Sequence, residues 1–298
     1  MMSFEKFIEW VADDLQRLLG EDYRIESTSV RKNNGVELKA LIVRNKNHNA
    51  APVIYMEPLY QTYKKGSSIE ALTKKILVRM KNELPFSMEI TEKVYNLETV
   101  RDRIGYRLIS KSKNEELLKD IPWTPWQDLA IIYYLNMGVK DNNQVSTIIY
   151  NHQMKKWNLS EDDLYELAKE NMPKMCPSVI GRLDHLIFGF DKDEDEIISC
   201  DPRFPVLYVL SNQANINGAS SVLYNGVLKD FAERLDSDLI ILPSSVHEVL
   251  LLRYSETVDL EMFKNLVRSV NAEDVPEEDV LSDSVYLYSR EKDQISMV

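Results

Sequence analysis

One short segment of this 298-residue chain places a nucleophile, a base and a carboxylate side by side: Ser244, Ser245, His247 and Glu248. A serine attacks only when a base within hydrogen-bond reach takes its proton, and no other local cluster in the sequence combines the three groups. The Val- and Leu-rich residues that follow, 246–252, read as a strand. Neighbours on a strand point to opposite faces, and residues two apart are separated by about 7 Å between Cα atoms. Ser245 and His247 therefore share a face at a distance too long for a direct pair, and Glu248 points away from both. The segment lacks the G-x-S-x-G elbow of a strained serine turn. It also lacks the second histidine of H-E-x-x-H, because Leu251 stands there. The local expectation is a structural corner, with both serine hydroxyls bonded to turn backbone. The competing expectation is a hydrolase-like site using Ser245 and His247 with a carboxylate from elsewhere in the chain.

The remaining chemistry-bearing residues are scattered. His48, His152 and His185 fall in no ligand spacing, and no metal is expected. Asp191, Asp193 and Asp195 match the first three ligand positions of a calcium loop, but Glu196 and Pro202 stand where a Gly and a bidentate Glu are needed. A solvated acidic loop is expected there. Gly218 and Gly226 stand alone, without a phosphate cradle or a Walker lysine, so no cofactor is expected. Two aromatic segments are candidate binding surfaces. One is the Pro-rich connection carrying Trp123 and Trp126. The other follows a short strand and carries Tyr55, Glu57 and Tyr60. For each, the bland alternative is an aromatic plug at the edge of a core.

Composition narrows the partners. A net charge of −12 argues against a nucleic-acid surface, which needs a basic face, and against adsorption to an anionic membrane. Two cysteines, Cys176 and Cys200, supply neither a disulfide framework nor a zinc pattern. Reduced thiols in the cytoplasm are the expectation. Glu5, Lys6, Glu9, Asp13 and Asp14 interrupt any signal-peptide core, and no apolar run approaches the length of a membrane span.

The elements that must position these residues are organised around residues 206–254. That stretch reads as strand 206–210, a loop ending at Asn217-Gly218, helix 219–235, strand 239–242 ended by Pro243, and strand 246–252. Upstream, Phe7, Ile8, Val11 and Leu15 line a first helix over 4–19. Asn33-Asn34-Gly35 turns strand 23–31 into strand 36–43, with Val36, Leu38, Ala40 and Ile42 inward. A short strand at 53–57 precedes a helix opened by Ser67 and Glu70. Strand 104–110, a short helix capped by Asn114, paired strands 128–135 and 145–150, and a helix from Ser160 broken by Pro173 fill the middle. Residues 179–190 fit a helix or a strand equally. A helix from Asp259, with Met262, Phe263, Leu266, Val267 and Val270 inward, and a hairpin over 285–298 close the chain. The fold class is α+β, with short mixed or antiparallel sheets covered by amphipathic helices. The order helix, strand, strand, helix recurs at both ends, as two similar lobes or by chance. Segments 1–97, 98–200 and 201–298 are the corresponding divisions, unless the whole is one compact unit.

Four blocks carry a resemblance. They are KNNGVELKALIV with VIYMEPLY, RLISKSKNEELLKDIPW with DLAIIYYL, LSEDDLYELAKENMPKMCP, and GASSVLYNGVLKDFAERL with ILPSSVHEVLLL. Together they resemble an uncharacterised family from gut-dwelling Firmicutes, and the tail from Tyr224 is similar to a second uncharacterised family from Bacillus-type bacteria. The resemblance implies a bacterial cytosolic protein and brings no activity or catalytic residues. The expected function is a non-enzymatic binding or interaction protein, its partner a protein or a small molecule. The hydrolase-like enzyme is the alternative.

Overall fold

A computed structural model of the chain describes residues 2–47, 51–83, 96–140, 143–188 and 205–298. It divides into two compact units, Met1–Asn96 and Leu97–Val298. The fold is α+β, with antiparallel sheets and interspersed helices. Among the described residues, no helix is long and apolar enough to cross a membrane.

The first unit packs helices α1 (Phe4–Leu19), α2 (Met56–Lys64) and α3 (Ile69–Glu83) with a three-stranded sheet, β1 (Tyr23–Arg31), β2 (Glu37–Asn45) and β3 (Val53–Tyr55). Ser3 caps α1 through the Lys6 N–H, and Gly20 ends it at φ 76°. Phe7, Val11 and Leu15 then meet Leu41 and Val43 in one buried cluster. Of the expected inward set Val36, Leu38, Ala40 and Ile42, only Ala40 is fully buried, and it is Leu41 and Val43 on the other face of β2 that join this cluster. The run Ala40-Leu41-Ile42-Val43 is apolar at both parities, so alternation alone could not choose. Asn34 and Gly35 both adopt positive φ at the β1–β2 turn, 59° and 72°, as a primed hairpin turn requires. Helix α2 was not expected. Pro58 is its third residue, where a missing N–H costs nothing. The Oγ that accepts at the start of α3 belongs to Ser68 rather than Ser67.

The second unit contains two sheets. In one, β4 (Ile104–Ser110), β6 (Leu129–Lys140) and β5 (Trp123–Trp126) lie in that order, with β7 (Asn143–Ile148) also on β6. The other has the order β13-β12-β10-β11-β9-β8, from β8 (Ser178–Arg182), β9 (Tyr208–Asn212), β10 (Leu239–Leu242), β11 (Val249–Arg253), β12 (Tyr286–Ser289) and β13 (Gln294–Met297). The expected Trp-containing connection is thus a strand. Its Pro125 is tolerated because, among the described residues, β5 pairs only with β6.

The helices of this unit are α4 (Leu97–Val100), α5 (Glu115–Leu118), α6 (Asn151–Trp157), α7 (Glu161–Met175), α8 (Leu183–Phe188), α9 (Val227–Leu235) and α10 (Leu260–Glu273). Ser160 and Asp163 form a reciprocal capping box on α7. Pro173 lies inside α7 rather than breaking it. The end of that helix is held by Asn171, whose Nδ2 donates to the carbonyls of Arg101 and Ile104 at 2.7 and 3.0 Å. Asn114 stands at the N-cap of α5 as expected but makes no side-chain capping bond there, and its amide donates to the Ser110 carbonyl. The expected helix 219–235 is a 3-10 segment, Gly218–Leu223, followed by α9, because Gly226 adopts φ 80° between them. On α10 the buried side chains are Phe263, Val267 and Asn271, whereas Met262 and Leu266 are exposed. The expected helix–strand–strand–helix recurrence is not kept: β3 and α2 come between β2 and α3 in the first unit, and β1 and β2 belong to a three-stranded sheet while β10 and β11 lie in the middle of a six-stranded one.

Candidate functional site

The segment holding Ser245 and His247 is neither a tight turn nor the start of a strand. Strand β11 begins at Val249, and residues 243–246 pair with 279–282 instead. The Val246 N–H donates to the Asp279 carbonyl at 2.8 Å, and the Leu281 N–H donates to the Ser244 carbonyl at 3.0 Å. The expected strand alternation of His247 and Glu248 is therefore corrected. A partner more than thirty positions away, invisible to local pattern, straightens this corner.

The Ser245 hydroxyl and both ring nitrogens of His247 have definite bonds. Ser245 Oγ accepts from the His247 N–H at 3.0 Å. His247 Nδ1 accepts from the Asn217 N–H at 3.3 Å, and Nε2 lies 3.3 Å from Asp279 Oδ1. Because Nδ1 faces a donor, it carries no proton, and the Nε2–H points at the carboxylate. Asn217, at φ 52°, and Gly218 bring the loop against this ring. Ser211 Oγ donates to the His247 carbonyl at 2.7 Å, and Ser220 and Ser221 hydroxyls donate to backbone carbonyls of Asn217 and Ser211. A Ser–His–carboxylate relay needs the second ring nitrogen to face a hydroxyl. Here a backbone amide takes that position. Asp279 is the carboxylate that sequence reasoning did not locate, and Glu248 does not reach His247.

The two sheets of the second unit meet at a seam built on Asp128. Its carboxylate accepts from the hydroxyls of Ser282 at 2.6 Å, Ser284 at 3.1 Å and Tyr286. Burial, and then the bond to Asp128, push the Tyr286 phenol well above its ordinary value. Gln127, at φ 52°, donates to the Ile295 carbonyl beside it at 2.9 Å. Trp126 stands edge-on to Tyr286, ring centroids 5.5 Å apart at 79°.

Beside this seam runs a cleft of about 460 Å³ whose walls include Trp126, Tyr165, Tyr224, Lys229, Tyr288 and Asp293. The Tyr224 hydroxyl donates to the Cys176 carbonyl at 2.9 Å, and the Tyr288 hydroxyl donates to Asp293 Oδ1 at 2.6 Å. Tyr165 stacks on buried Tyr106 at 6.3 Å. The aromatic walls are thus held by the protein, while exposed Lys229 has no ion pair among the described residues. A more open hollow of about 630 Å³ adjoins it at Asn225. Carboxylates there are engaged within the chain: Glu166 with Lys169, Glu170 with Lys174, and Asp163 with Ser160.

The other sequence candidates are dispersed. Trp123 and Trp126 lie on opposite faces of β5, as the register Trp123↔Ile132 and Trp126↔Leu129 requires. Tyr55, Glu57 and Tyr60 belong to the first unit. Lys32 Nζ sits 3.9 Å from the Tyr55 ring centroid, Glu57 Oε1 accepts the Lys39 N–H at 2.7 Å, and the Tyr60 hydroxyl donates to the Met2 carbonyl at 2.8 Å. Tyr60 also packs on Phe4 and Phe7. Among the described residues, no group of three or more His, Cys, Asp or Glu could hold a metal ion. His48, Cys200 and the acidic loop with Asp191, Asp193 and Asp195 lie outside the described residues. Of the cleft, sequence reasoning named Trp126 alone, because its tyrosines come from segments far apart in the chain.

A family described as a family of unknown function (DUF5688) matches residues 4–290. No curated protein and no solved structure matches the chain.

Proposed function

The chain belongs to DUF5688, a family of unknown function, and from that premise we propose that it is a non-enzymatic binding protein of the bacterial cytoplasm. One observation carries the proposal: Ser245 Oγ and both His247 ring nitrogens are bonded to backbone amides or to Asp279, leaving no hydroxyl opposite the base. The aromatic cleft supports the location. Its preset walls lower the ordering cost of stacking a partner group, whether from a protein or a small molecule. Trp126 and Tyr165 supply the ring faces, and Lys229 supplies a polar anchor.

The test is a thermal-shift screen of the whole chain against aromatic carboxylates, nucleosides and monosaccharides. A saturable shift that Lys229→Ala weakens and Trp126→Ala removes is the expected result. Hits unaffected by either substitution contradict the cleft assignment. A second reading, the hydrolase, is favoured by one contact, the Asp279 carboxylate on His247 Nε2. It requires Asn217 to withdraw and Ser245 to turn toward Nδ1. Covalent labelling of Ser245 by a fluorophosphonate, lost in His247→Ala, would establish that reading and overturn the binding-only one.

A further inference from the structure

Arg107 stands in the middle of the apolar strand β4, IGYRLIS. Across the sheet it pairs with Ile132, which pairs in turn with Trp123. These three side chains therefore form one row on the face opposite Trp126. Ile109, Ala130 and Ile132 on that face join Leu118 and Ile121 in a buried apolar cluster, with Trp123 packed against it. The next row holds Gly105, Tyr134 and Ile148. Lys111 brings a second cation, its Nζ 5.3 Å from the Trp123 ring centroid.

Arg107 Nε is fully buried without a hydrogen-bond partner, and no ion pair joins Arg107 to any described residue. A guanidinium stays charged at any working pH, and burial pulls against that charge. The residue as a whole is half-buried, so it is the Nε–H that lacks a partner, and a buried polar atom without one calls for a cause. The groups that satisfy such a fork bidentately are carboxylates and phosphates. We infer that Arg107 is the receptor of an oxyanion, the carboxylate or phosphate group of a small molecule, on the face of the β4–β6–β5 sheet opposite the aromatic cleft.

The experiment follows thermal unfolding and tryptophan fluorescence of the whole chain in a low-salt buffer. It titrates inorganic phosphate, then citrate, each against sodium chloride at matched ionic strength. The expected result is a saturable rise in Tm, about 5–10 °C at a hundred times Kd, with phosphate, citrate or both, and not with chloride. Which anion responds identifies its source. Arg107→Leu abolishes the response without lowering the Tm measured in the absence of anion, because it removes an unpaired charge. Arg107→Lys folds and binds about ten- to a hundredfold more weakly, since a point charge replaces the fork. The inference is overturned if neither anion acts saturably on the wild type. It is equally overturned if Arg107→Lys responds like the wild type. Should Arg107→Leu fail to fold, the lysine variant alone decides.

Discussion

Gly218→Ala tests the corner that holds His247. A Cβ added at Gly218 would lie 2.5 Å from the His247 carbonyl oxygen and 2.7 Å from the Asn212 nitrogen, and closer still to Ser211 Oγ. The hydroxyl can rotate, but the two backbone atoms cannot. The loop must therefore retreat by several tenths of an ångström. That retreat strains the Ser211–His247 bond at 2.7 Å and the Asn217 N–H bond to Nδ1 at 3.3 Å. Overpacking a closed site costs about 1–3 kcal/mol, and a lost hydrogen bond adds about 1 kcal/mol. The sum is about 2–4 kcal/mol, read as a lowered urea midpoint at unchanged slope. Gly181→Ala is the control, because its nearest neighbour is Leu186 Cδ1 at 3.7 Å, ordinary contact. Ser211→Ala combined with Gly218→Ala should recover only part of the loss, since both backbone contacts remain. A cost below about 0.5 kcal/mol for Gly218→Ala, within the range of ordinary surface changes, would refute the reasoning. Full recovery in the double variant would show that the hydroxyl alone was in the way.

Three further outcomes follow from the second unit. Asp128→Ala removes the acceptor of three hydroxyls and should cost at least about 2 kcal/mol, measured by chemical denaturation, with Ser284→Ala costing less because its bond is the longer, at 3.1 Å. Leu251, fully buried between β10 and β9, should cost about 2–5 kcal/mol on truncation to Ala, whereas half-buried Leu250 should cost less. A comparison of the two denaturation midpoints checks the ranking. Burial raises the phenol values of Tyr106, Tyr133, Tyr224 and Tyr286 in the folded protein. A folded value above the unfolded one stabilises the protein at low pH and ceases to do so as pH rises. Stability should be intact below about pH 10, the ordinary phenol value, and fall above it. Tyrosinate absorbance and loss of circular dichroism should then rise together in one alkaline transition. Complete ionisation with an unchanged dichroism signal contradicts this.

What the sequence made legible was local. Strand β4 was expected at 104–110 and lies there, because the run is apolar and punctuated at both ends. The capping box of α7 was equally readable, since Ser160 and Asp163 are three residues apart. The corner at 243–248 was not readable, because it is held by residues 279–282 from a different part of the chain. Strand β11 starts three residues later than its apolar run for the same reason. The split in the expected helix 219–235 had a signal, Asn225-Gly226, that the apolar period of Val222, Leu223, Val227 and Phe231 overrode. Arg107 also left a trace, as the one charged residue within a strand whose other side chains are all buried. The tyrosines of the cleft left none, as nothing local distinguishes Tyr165 or Tyr288 from a core tyrosine.

The spacing W-T-P-W has a consequence that depends on its secondary structure. Three residues apart on a helix, Trp123 and Trp126 would share a face. On strand β5 they point to opposite faces, so one four-residue edge strand presents an indole to each side of the sheet. Trp126 meets Tyr286 and the cleft, and Trp123 lies in the row with Arg107. Pro125 keeps that edge from recruiting a further strand, since it offers no N–H. The two indoles therefore report on two surfaces independently. A ligand that changes only the Trp126 signal acts at the cleft, and an anion that changes only the Trp123 signal acts at Arg107. Phe substitutions at each position can separate the two in one fluorescence titration. A response common to both indoles would instead mean that the sheet itself shifts, coupling the surfaces through Ile131 and Ile132, which are buried between them.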